Sequence, residues 1–153
     1  MALQSWEGVY HDANLDQIVT PAARPAVAKI ARYCLYNQNQ ILASVPSSLV
    51  LGLTFISNPP WQTQPWKTII GQNDPGTAPS GVPILIIQGD ADPIVAHSIS
   101  AQLAKKLCTN GETVDFRLYP GVAHLDAGTT AAPDVAEWIA DRFAGKPAPT
   151  TCT

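Results

Sequence analysis

Val82-Pro83-Ile84-Leu85-Ile86-Ile87-Gln88-Gly89-Asp90-Ala91-Asp92-Pro93-Ile94-Val95 joins an unbroken β-prone run to a turn rich in Gly, Asp and Pro. Four consecutive large aliphatic residues without polar alternation read as a strand covered on both faces, the habit of a central strand in a parallel sheet. Downstream, Ile99, Leu103 and Leu107 recur along one helical face, Lys105 and Lys106 favour the carboxyl end, and Asn110-Gly111 stops the helix after about three turns. Thr113 to Tyr119 alternates, with Val114, Phe116 and Leu118 on one side and Asp115, Arg117 and Tyr119 on the other, as a strand nearer a sheet edge does; Pro120-Gly121 ends it. Val135, Trp138, Ile139 and Phe143 then form an apolar stripe from Pro133 to Ala144, stopped by Gly145. Strand, helix, strand, helix is an α/β order and predicts a parallel pair joined by a right-handed crossover. Two strands are too few to cover the predicted helices, and an isolated pair is marginal in water, so further strands are expected from another chain or a missing segment.

Residues 1–80 have a different texture, holding most of the fourteen prolines and three of the four tryptophans. Val27, Ile30, Ala31, Cys34 and Leu35 recur at helical spacing after Pro25, and Gln40 to Ala43 predict a second short helix. Asn58-Pro59-Pro60 and Asn73-Asp74-Pro75-Gly76 are turn clusters, and Pro79, Gly81 and Pro83 punctuate the approach to the first strand. These features predict a cap or lid region over 1–80 and an α/β part over 81–153.

The chain has 153 residues, 46 % of them hydrophobic and 14 % charged, which is a globular composition long enough for one core. Nine basic residues against twelve acidic ones, with no Lys/Arg run, exclude a nucleic-acid binder from the expectations. No stretch reaches the roughly 18 to 20 apolar residues of a transmembrane helix, and no export signal opens the chain. Neither HExxH nor CxxC nor a tight His/Asp group occurs, so no metal and no cofactor are expected. Cys152 sits in a Pro/Thr-rich tail that a disulfide would tether, with Cys108 as the expected partner. Cys34 is then left over, either as a buried free thiol or as half of a bridge whose partner is absent.

Functional side chains in open parallel sheets gather just past the carboxyl ends of the strands. Gly89-Asp90-Ala91-Asp92 follows the first strand and Gly121-Val122-Ala123-His124 the second, which predicts Asp92 and His124 on adjacent loops. A carboxylate there can hold the imidazole tautomer whose far nitrogen is free to act as a base. Each residue alone has an ordinary reading as a helix cap or turn former, and Asp90 is a rival to Asp92; their order at successive strand ends favours the pair. His97 at a helix start and His11 in the cap region have no evident carboxylate partner and read as structural.

The stretch Val82 to Val95, then Leu103-Ala104-Lys105-Lys106-Leu107-Cys108-Thr109-Asn110-Gly111, then Tyr119-Pro120-Gly121-Val122-Ala123-His124, resembles the secretory lipase family of α/β-hydrolases. The resemblance covers residues 80 to 152 well and residues 1 to 80, as lid and cap, more loosely. It implies a partial α/β-hydrolase fold, the last two parallel strands with their helices behind a largely helical cap. It further implies secretion of the parent protein and an ester or lipid substrate. Asp92 and His124 match the triad acid and base, Cys108 and Cys152 resemble a pair tying the last helices to the tail, and Cys34 resembles a cysteine bridged to the amino-terminal half.

The chain departs from that family at the nucleophile, which members carry in a Gly-x-Ser-x-Gly elbow between a strand and a helix. None of the ten glycines here is followed two positions later by serine. An oxyanion hole, one of whose donors is the amide after the nucleophile, is equally unidentifiable. The expectation is the carboxyl-terminal portion of a secreted serine lipase or carboxylesterase, inactive alone, whose partner is the missing amino-terminal half. The alternative is a non-catalytic α/β module that completes its sheet with a second copy or another partner. Among the cap aromatics Trp6, Tyr10, Tyr33, Tyr36, Trp61 and Trp66, the best candidates to line an acyl site are Tyr36, Trp61 and Trp66, against ordinary packing as the plainer reading.

Overall fold

Helices and one parallel β-pair make up the chain in a computed structural model that describes residues 2–33, 38–52 and 55–153. Its backbone divides into two units, Met1–Asp74 and Pro75–Thr153.

The first unit contains α1 (Ala2–Val9), α2 (Arg24–Ile30), α3 (Gln38–Leu51) and α4 (Trp66–Gln72), with short 3-10 turns at Leu15–Gln17 and Pro21–Ala23. Asn14 and Gln17 form a reciprocal capping box that starts the first of these turns. Leu15, Ile18, Val19, Trp66 and Ile69 are buried together as the core of this unit. The helix expected after Pro25 is α2, which ends at Ile30; the expected continuation to Cys34 and Leu35 falls outside the described residues. The short helix expected at Gln40–Ala43 is instead the fourteen-residue α3, which runs through Pro46. Proline lacks one amide donor, and α3 continues through Pro46 despite that lost bond.

The second unit contains β1 (Ile84–Gly89), α5 (His97–Thr109), β2 (Val114–Tyr119) and α6 (Ala127–Phe143). The strands are parallel, in the register Ile84 to Val114 through Gly89 to Tyr119, so both end at the same level. Ile84 and Ile86 of β1, with Val114 and Phe116 of β2, pack against Leu103, Ala104 and Leu107 of α5. Leu85 and Ile87 point to the other face, beside Val135, Trp138 and Ile139 of α6. A strand buried throughout is not what results: only Gln88 and Gly89 of β1 are buried, and Ile84 to Ile87 stay half-exposed. No other strand lies beside β1 among the described residues to supply the missing cover. Ile99 and Leu118 of the expected apolar faces are also exposed.

The outer edge of β2 is closed by the tail. Thr151 donates its amide to the Val114 carbonyl at 2.8 Å, and its Oγ1 accepts from the Phe116 amide at 3.0 Å. The Cys108–Cys152 disulfide pins this strap to α5. Helix α6 begins six residues before Pro133, its expected start, and leaves the end of the expected stripe uncovered, with Phe143 90 % exposed.

Candidate active site

Two backbone loops meet past the level ends of β1 and β2. Asp90 N donates to the Tyr119 carbonyl at 3.1 Å, and Ala91 N to that of Val122 at 3.2 Å. The Asp90 carboxylate accepts the Gly121 amide at 2.6 Å, which assigns this rival acid to holding the turn, where Gly121 has φ +72°. Gly89 lies where the Val122 carbonyl passes so close that a Cβ would overlap it. These contacts bring the His124 loop onto the Asp92 loop.

His124 Nδ1 lies 2.8 Å from Asp92 Oδ2. An ionised carboxylate only accepts, so this bond places the imidazole proton on Nδ1. Nε2 is left without a partner among the described residues, on a side chain that is 40 % exposed, whereas the Asp92 side chain is 3 % exposed. The other carboxylate oxygen, Oδ1, accepts the amides of Ile94 at 2.8 Å and Val95 at 2.9 Å in a turn closed by the side chain. Burial pushes the Asp92 carboxyl up, but the Val95 amide, His124, the Ile94 amide and Gln88 together outweigh it and hold the group well below the usual carboxylate range. Such an arrangement keeps the acid charged and fixes the orientation of the ring, with Nδ1 toward Asp92 and Nε2 away from it.

Gln88, the last side chain of β1 and buried, contributes a further bond from Nε2 to Asp92 Oδ2 at 2.8 Å. Sequence reasoning passed over it; the available signal was one amide inside an otherwise apolar run, where an unpaired polar group is costly.

Other candidates lie elsewhere. His97 opens α5 and His11 lies in a turn after α1, both exposed. Trp66 has no accessible surface and donates Nε1 to Gln17 Oε1 at 2.9 Å and the Asn14 carbonyl at 3.2 Å, a packing role in the first unit. Trp61 is 63 % exposed in the turn before α4. Tyr36 lies outside the described residues. Among the described residues no group of three or more His, Cys, Asp or Glu side chains is placed to hold a metal, and no helix is long and apolar enough to cross a membrane.

Residues 11–151 match the family described as secretory lipase. The chain belongs to that family. It is similar to the secreted triacylglycerol lipase LIP7 of Malassezia globosa, 25 % identical over 142 residues that make up 88 % of this chain and 30 % of that protein. It is also similar to Lipase A of Arthroderma benhamiae, 32 % identical over 79 residues, 52 % of this chain and 17 % of that one. The secretory lipase match thus spans less than a third of either relative's length. No solved structure matches the chain significantly.

Proposed function

We propose that this chain supplies the acid and the base of a serine carboxylic ester hydrolase, as the carboxyl-terminal portion of an α/β-hydrolase core preceded by a cap over residues 1–80. The observation that carries the reading is the 2.8 Å bond from His124 Nδ1 to the buried Asp92 carboxylate at the ends of neighbouring parallel strands. Membership of the secretory lipase family supports it. The parent protein is extracellular, in keeping with a family described as secretory and a relative named secreted, and its substrate is an ester of lipid type.

In this reading a serine from outside these residues gives its proton to His124 Nε2 as it attacks the ester carbonyl. The imidazolium returns that proton to the leaving alcohol, and the acyl-serine is then hydrolysed by water with His124 again the base. Asp92 stabilises the imidazolium and does not itself take the proton. No Gly-x-Ser-x-Gly elbow occurs in the chain, so by itself it is inactive.

The test is a fluorophosphonate probe with a short p-nitrophenyl ester. Alone, the chain should carry no serine adduct and hydrolyse the ester no faster than buffer. Co-expression with the amino-terminal part of a family relative should restore both labelling and turnover, and His124→Ala in that complex should lower kcat by about 10³-fold or more. A stoichiometric adduct on a serine of this chain, or restored turnover indifferent to His124, overturns the reading.

One observation favours a second reading, a module that completes itself with another copy of the chain. Leu85, Ile87, Ile139 and Phe143 leave an apolar face partly open beside the edge of β1, which no strand pairs with among the described residues.

A further inference from the structure

Gln88 is tied on both ends of its amide. Nε2 lies 2.8 Å from Asp92 Oδ2, 3.2 Å from the Gly89 carbonyl and 3.3 Å from the Val95 carbonyl. Oε1 accepts from Ser100 Oγ at 2.8 Å. Three acceptors around one end and a hydroxyl donor at the other allow only one orientation of the amide. Gln88 is thereby joined to the strand end, the acid, the loop before α5 and α5 itself.

The oxygen it reaches is the one that meets His124. Oδ1 of Asp92 is occupied by the Ile94 and Val95 amides, and Oδ2 by Gln88 and His124. Without the Gln88 amide, Oδ2 would be held from one side alone, by the partly exposed His124 ring. With it, the same oxygen is also held from the buried end of β1.

We propose that Gln88 is a positioning residue for the His124 base, acting through Asp92, with Ser100 fixing the amide that does so. This rests on the reading of Asp92 and His124 as acid and base. Gln88 neither touches substrate nor exchanges a proton; it orients the acceptor that keeps the imidazole proton on Nδ1 and Nε2 free.

The test reads the histidine tautomer by long-range ¹H–¹⁵N correlation on the ¹⁵N-labelled chain, at about pH 8, above the ordinary histidine range. In the unaltered chain the His124 proton resides on Nδ1. Gln88→Met keeps the volume and removes both amide functions; the ratio of Nδ1–H to Nε2–H should fall by about three-fold or more, the size of one net hydrogen bond in an equilibrium. Ser100→Ala, on the partly exposed side of α5, should lower it in the same direction by less, and it carries the test alone if Gln88→Met does not fold. An unaltered chain with its proton on Nε2 sinks the acid–base reading itself. A proton on Nδ1 that neither substitution redistributes sinks only the role of Gln88.

Discussion

Asp92 gathers four hydrogen bonds onto two oxygens, and the charge they stabilise makes folding depend on pH. Its carboxyl is held below the ordinary range in the folded chain, so between the two values the unfolded chain binds more protons, and stability rises with pH there. The contribution is complete above the unfolded carboxylate value of about 4 and is lost as pH falls through the lower, folded value. Glu112, lowered by the Ser80 hydroxyl and amide, adds to the same slope. Urea unfolding at a series of pH values from about 6 downwards should therefore show Asp92→Asn with a shallower loss of stability than the unaltered chain. Equal slopes would mean that the four bonds do not favour the charged carboxyl. The adjacency of Asp92 and His124 is legible from their places after two strands. The bond from Gln88 is not, because strand periodicity reports which face a side chain takes and nothing about a partner four residues onward in a folded-back loop.

At the scale of elements, the β2 edge shows how a tail without regular structure does the work of a strand. Thr150 and Thr151 present hydroxyls and an amide to the Val114 carbonyl and the Phe116 amide, and the disulfide to α5 closes 44 positions of chain. Cross-links over loops of that size stabilise by about 2–4 kcal/mol, chiefly by restricting the unfolded chain. Cys152→Ser should lower the unfolding free energy by roughly that amount and speed hydrogen exchange at the Phe116 amide. An unchanged denaturation midpoint would show that the strap holds without its bridge. Helix α6 is legible as a helix but not in extent. Pro133 reads as a first-turn residue, whereas the structure starts at Ala127 and gains Thr130 N to the Asp126 carbonyl at 2.9 Å before the proline is reached. The apolar spacing from Val135 to Phe143 predicts the helix; cover for its outer end is a separate matter, and Phe143 has almost none.

At the scale of the whole molecule, each unit has its own core, and the second leaves Ile139 and Phe143 of α6 exposed. Leu85, Ile87 and Ile139 are only partly covered, and among the described residues no strand pairs with the outer edge of β1. Light scattering over a rising concentration series should show self-association, reversed by the amino-terminal part of a relative that completes the sheet. A folded chain that stays monomeric throughout would defeat both the expected incompleteness and the reading as a self-pairing module. From the sequence alone come the order of strands and helices in the second unit, the meeting of Asp92 with His124 and the lack of a serine elbow, because backbone periodicity and motif spacing are local properties of the chain. Only the tertiary structure decided that Gln88 braces the acid, that the tail seals β2, that Trp66 is core and that Phe143 stands in solvent. Burial and pairing depend on which distant segments arrive alongside, and no local pattern encodes that.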